Sequence, residues 1–146
     1  ESERHMTEQP ERLPPRQAEP PGQLADAVAE AAGLTARALA ATALVAFTRS
    51  GFTARLIAKH RPNTPLIAYT PDRDVLRQLP LYWGIAPRLA PELEDTDRLL
   101  AWADRDLLAA GLVRRGDAVV FVAGAPASQR RVTNLIRVHR AGDRLA

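Results

Sequence analysis

The stretch Thr48-Arg49-Ser50-Gly51-Phe52-Thr53 gathers the side chains best suited to holding an anion. Three hydroxyls, one guanidinium and a glycine fall between an apolar run and a helical pattern. Where a strand ends and a helix begins, exposed backbone N–H groups and the positive helix end add to them, and together these are the ingredients of a phosphate cradle. The same residues equally describe a Ser-Gly turn whose hydroxyls do no more than cap the helix. A second segment, Gly124-Ala125-Pro126-Ala127-Ser128-Gln129-Arg130-Arg131, follows another apolar run. There Arg130 and Arg131 could close bidentately over a phosphate, or form a solvated basic turn. Other constellations fail. His5, His60 and His139 lie far apart, and no paired carboxylates, nucleophile with a base, or metal-ligand spacing emerges. The expectation is therefore no catalytic site and no metal site. Asp95 and Asp97 straddle a helix start and read as caps, while Trp83 and Trp102 read as core or interface residues.

The bulk properties narrow the class. A chain of 146 residues, 46% hydrophobic, is long enough for one domain with a real core. It has no cysteine, which excludes disulfides, thiolate metal sites and a thiol nucleophile. No apolar stretch reaches bilayer length and no charged-then-apolar signal opens the chain, so a cytoplasmic protein without a membrane partner is expected. The formal charge is +3, carried almost wholly by arginine, since Lys59 is the single lysine. Aromatic residues are only 5% of the chain and no basic stripe is interleaved with them, so nucleic acid is not an expected partner.

The elements that must position the loop follow from periodicity and punctuation. Residues 1–21 hold five of the twelve prolines and few apolar side chains, and read as a disordered linker. Within them, Glu1–Met6 reads as a cloning remnant before a start methionine. Residues 22–146 form the domain. An alanine-rich helix runs from Leu24 to about Leu39, then Ala43–Thr48 is a buried strand and Phe52–His60 a helix. Leu66–Thr70 is a second buried strand, Pro71-Asp72 opens a helix that Pro80 must end, and Gly84 admits a third strand, Ile85–Leu89. Asp95-Thr96-Asp97 caps a helix from Arg98 to Ala110 that Gly111 closes. Ala118–Ala123 is the most strand-like run, and Thr133–His139 alternates polar and apolar residues as a half-exposed edge strand does. Strands alternating with helices imply a parallel sheet between helical layers. The last loop is too short for a normal crossover, so the final strand should run antiparallel. The fold class is a three-layer α/β/α sandwich.

The run from Thr48 to Pro71 resembles the T-x-S-G-x-[ST]-A-x-x-[IV]-[SA]-x-x-R-P-x-x-P-I-[IL]-A-x-T-P signature of pyruvate kinase C-terminal domains. The resemblance continues through Arg77-Gln78-Leu79, Leu81–Pro87, Asp95-Thr96-Asp97, Gly111-Leu112-Val113, Gly116-Asp117, Val119–Gly124 and Thr133-Asn134. It implies a mixed five-stranded sheet of order 3-2-1-4-5 with strand 5 antiparallel. It also implies a regulatory domain that binds a phosphorylated effector, a sugar phosphate or AMP, at Thr48, Arg49, Ser50, Gly51 and Thr53, with part of the 124–131 loop closing over it. Subunit contacts, in a homo-oligomer, would come from the later helices and the last strand. The parent enzyme transfers phosphate from phosphoenolpyruvate to ADP with Mg²⁺ and usually K⁺, in a barrel domain that this chain does not contain, so no cofactor and no kinase activity are expected of it alone. Three departures stand out: Phe52 where a basic residue is common, no glycine near Arg131-Val132, and Pro80 in place of a small helical residue. An assembly module with a vestigial effector site is the other reading.

Overall fold

The computed structural model describes residues 23–124 and 133–145. The proline-rich segment 1–21, Arg130 and Arg131 lie outside the described residues. Along the chain run α1 (Gln23–Ala38), β1 (Ala43–Phe47), α2 (Phe52–Lys59), β2 (Leu66–Thr70), α3 (Arg73–Gln78), a 3-10 turn (Leu79–Leu81), β3 (Ile85–Leu89), α4 (Thr96–Ala109), β4 (Ala118–Ala123) and β5 (Leu135–Arg140). The strands make one sheet of order β3-β2-β1-β4-β5. All neighbours are parallel except β5, which lies antiparallel to β4 with Val120 opposite Val138. The expected order and the reversed last strand both hold.

Helix α1 passes through Gly33 unbroken because its alanine face is buried along its length, at Ala25, Ala29, Ala32 and Ala36. Asp72 and not Pro71 starts α3: its carboxylate accepts the N–H groups of Asp74 at 2.8 Å and Val75 at 3.2 Å, and proline stands before the cap. The helix stops at Gln78, ahead of a 3-10 turn that accommodates Pro80. Asp95 caps α4, accepting from the Asp97 N–H at 3.0 Å.

Two cores sit on the two faces of the sheet. Ala29, Ala32 and Ala36 of α1, Ala54 and Ile57 of α2, and Val75 of α3 pack on one face, against Leu44, Ala46, Ala68, Val120 and Val122. Leu99, Leu100, Ala103 and Leu107 of α4 pack on the other, against Val45, Phe47, Ile67, Tyr69 and Phe121. The layers are therefore three, with three helices on one side and α4 on the other. This follows from right-handed crossovers. Travelling β1 to β2 to β3 puts α2 and α3 on one face, and returning from β3 to β4 puts α4 on the opposite one. The direction reverses between β1 and β4.

Strand β5 departs from the expected alternation. Val138 is 51% exposed, while His139 is buried. The polar residues face inward because α4 supplies their partners. His139 Nε2 lies 2.9 Å from the buried Asp104 Oδ1, and Arg137 reaches Asp97 Oδ1 at 3.3 Å. Val138 points to the side that α1 to α3 leave open at this edge.

Candidate functional site

In an open α/β sheet the crevice for a ligand lies beyond the carboxyl ends of the strands where their direction of connection reverses. Here that point is flanked by Thr48 after β1 and Gly124 after β4, and both line a cleft completed by the loop that follows β3. The sheet thus carries the Thr48–Thr53 segment to the position where its topology reverses.

The segment is built by short bonds. Thr48 is buried, and its N–H donates to the Tyr69 carbonyl at 2.9 Å, extending the sheet one residue past β1. Its hydroxyl accepts the Gly51 N–H at 2.8 Å. Gly51 adopts φ 87°, a left-handed turn that glycine enters without the steric cost of a side chain, and from there α2 begins. Ser50 Oγ, which is exposed, accepts the Phe52 N–H at 3.3 Å. The Thr53 hydroxyl is 2.6 Å from the Thr133 hydroxyl, tying the first turn of α2 to the approach to β5. Thr48 thus holds the N–H of the N-cap residue Gly51, and Ser50 that of Phe52, the first residue of α2. A hydroxyl that accepts one bond still has its own proton to donate. Arg49 lies half-buried at the rim and pairs with Glu92.

Of the residues singled out in the sequence, Thr48, Arg49, Ser50, Gly51 and Thr53 come together. Glu92, in the loop after β3, was not legible as part of the site, since neither spacing nor pattern marks it. Also unforeseen are two carboxylates of α4. Asp104 accepts from the Gly142 N–H at 3.1 Å besides meeting His139. Asp106 accepts from the Tyr69 hydroxyl at 2.6 Å and from Arg88 Nε at 2.8 Å. Burial pushes the Asp106 carboxyl up, but the bonds from Arg88 and Tyr69 and the Arg88 charge outweigh it and hold Asp106 below the usual carboxylate range. The same burial, with Asp106 beside it, pushes the Tyr69 phenol far up. His60 bonds Asp26 at 3.0 Å, joining the end of α2 to the start of α1, and this bond is the main reason the Asp26 carboxyl is lowered. Trp102 packs edge-on to Tyr69 at 5.3 Å, in the core as expected, whereas Trp83 is exposed beneath the Arg61 guanidinium. Among the described residues no three metal-ligating side chains gather, and no helix is long and apolar enough to cross a membrane.

The family model for the pyruvate kinase α/β domain matches residues 26–139, most of the chain. The chain belongs to that family. This pyruvate kinase C-terminal α/β domain is 40% identical over 123 residues to the pyruvate kinase of Geobacillus stearothermophilus, a match covering 84% of the chain and 21% of that relative. It is 37% identical over 121 residues to the enzyme of Lactobacillus delbrueckii subsp. bulgaricus, covering 83% of the chain and 20% of the relative. Among solved structures, a pyruvate kinase from Cryptosporidium parvum superposes with a TM-score of 0.72 at 26% identity, over 88% of this chain and 24% of the other. The domain therefore spans about a fifth of the length of the curated relatives that it matches.

Proposed function

We propose that this domain is the effector-binding and subunit-assembly part of a pyruvate kinase, and that it takes a phosphorylated small molecule at the Thr48–Thr53 loop. One observation carries the reading: the loop, with Arg49 and the positive end of α2, stands at the reversal point of the sheet, where a cleft is open to receive an anion. Ser50 offers an exposed hydroxyl, and Gly51 makes the left-handed turn from which α2 starts beside it. Arg130 and Arg131, in the segment that follows Gly124, are proposed to close over the phosphate. The ligand class is a sugar phosphate or AMP. The whole enzyme to which such a domain contributes transfers phosphate from phosphoenolpyruvate to ADP in the cytoplasm, using Mg²⁺ and usually K⁺. We propose no turnover for the domain alone.

A second reading, an assembly module with a vestigial site, draws on the Arg49–Glu92 pair, which leaves the rim with no net charge. Thermal melting in the presence of fructose 1,6-bisphosphate, glucose 6-phosphate, ribose 5-phosphate, AMP or sulfate separates the two. A ligand at about a hundred times its dissociation constant adds about 2.7 kcal/mol of stability, several degrees in a domain of this size. The effector reading expects a selective shift that Ser50→Ala abolishes. A flat response to every ligand supports the assembly reading.

A further inference from the structure

The described walls of the cleft carry one basic side chain, Arg49, and one acidic side chain, Glu92, and the two are paired with each other. Glu92 is not there through a long, loosely tethered arm. Ala90, two residues before it, is buried and donates its N–H to the Thr70 carbonyl at 2.9 Å. Leu93, directly after it, packs against the core under α4. Pro91 further restricts the backbone between these anchors. The main chain is thus fixed on both sides, and the carboxylate is delivered across the mouth onto the guanidinium of the opposite loop. Sequence separation between the partners is 43 residues, so the contact is a product of the fold and not of local chain geometry.

A carboxylate and a phosphate compete for the same in-plane N–H fork of arginine. From this we infer that Glu92 is a built-in competitor for the anion site, seated on Arg49 when no ligand is bound and displaced by a ligand's anionic group. The inference rests on the reading of the Thr48–Thr53 loop as an anion site, and concerns how that site is regulated. Its consequence is selectivity. A ligand that meets Arg49 alone gains little, because it exchanges one ion pair for another. A phosphate that meets Arg49 and also accepts from the Ser50 hydroxyl has a bond the carboxylate lacks, and displaces it. The size of the effect is bounded by exposure: Arg49 is 25% exposed and Glu92 68%, so solvent screens the pair.

The test is a titration of the domain with inorganic phosphate, followed by amide NMR signals of Ser50–Thr53, in four proteins: unaltered, Glu92→Gln, Arg49→Gln, and the double variant. The expected result is that Glu92→Gln tightens phosphate binding about two- to fivefold, and that the same substitution changes nothing once Arg49 is glutamine. Equal affinity in the unaltered protein and Glu92→Gln, with the loop signals moving in both, would overturn the competitor while leaving the anion site intact. The same holds if Glu92→Gln tightens binding equally without Arg49, because the carboxylate then acts only through its long-range field. Loop signals that stay still in all four proteins would remove the anion site itself, and the competitor with it.

Discussion

Tyr69 shows how one side chain can serve the core and a charge network together. Its ring is buried against Phe47, at 5.7 Å between centroids, while its hydroxyl reaches Asp106 beside Arg88. A buried phenol needs such a partner, since an unsatisfied hydroxyl in a low-dielectric core costs about 1–3 kcal/mol. The lowered Asp106 carboxyl makes this network pH-dependent. A carboxyl whose folded pKa lies below its unfolded value adds stability above the unfolded value, about 4, and loses it as pH falls through the folded one. Urea unfolding should therefore show a less stable domain at pH 3 than at pH 7. Tyr69→Phe should lower stability at pH 7 by about 1–2 kcal/mol, because Asp106 loses a donor. It should also narrow the gap between pH 7 and pH 3, the bond being worth most to the ionised form. An unchanged gap in Tyr69→Phe would mean that Arg88 alone sets the Asp106 titration.

At the scale of the element, the same substitution should have opposite signs in two places. At Gly51 an added Cβ would stand 3.5 Å from Leu79 and Val75, ordinary contact distances, but φ is 87°. Gly51→Ala should cost about 1–2 kcal/mol through the backbone alone, and it would disturb the turn that starts α2. Gly33 lies inside α1 and its added Cβ would meet only Pro62, at 3.8 Å. Gly33→Ala should then raise stability by up to about 1 kcal/mol, from helix propensity. Urea midpoints with unchanged slopes would check both. These positions also show what could be read beforehand. Continuous apolar runs gave β1, β2 and β4 to within a residue, because a strand buried on both faces must be apolar throughout, and Gly84 marked the start of β3, an edge strand that holds Pro87 and Arg88. The Thr48–Thr53 loop was legible too, as a Ser-Gly break between strand and helix. The face of β5 was not. His139 and Arg137 turn inward only because Asp104 and Asp97 wait on α4, 35 and 40 residues away. Glu92 was hidden likewise, being an ordinary loop acid until the fold sets it against Arg49.

For the whole molecule, strand order decides where rigidity lies. β2, β1 and β4 have a neighbour on each side and are buried on both faces, and β1 and β2 are buried at every residue. β3 and β5 are the two edges, with Arg88 and Arg137 half-buried and Ala86 and Val138 exposed. Opening a central strand breaks two ladders and both cores, whereas an edge strand can part from one neighbour. Native-state hydrogen exchange should accordingly be slowest at the amides of β1, β2 and β4 and measurably faster in β3 and β5. The cleft sits on the ends of the central strands β1 and β4, so its backbone is presented from the most persistent part of the sheet. A site placed there can hold its loop ready for a ligand without first ordering it, and the cost of binding falls on moving side chains such as Glu92. Central amides that exchange as fast as the edges would contradict this, because the sheet would then open as one unit and the loop with it.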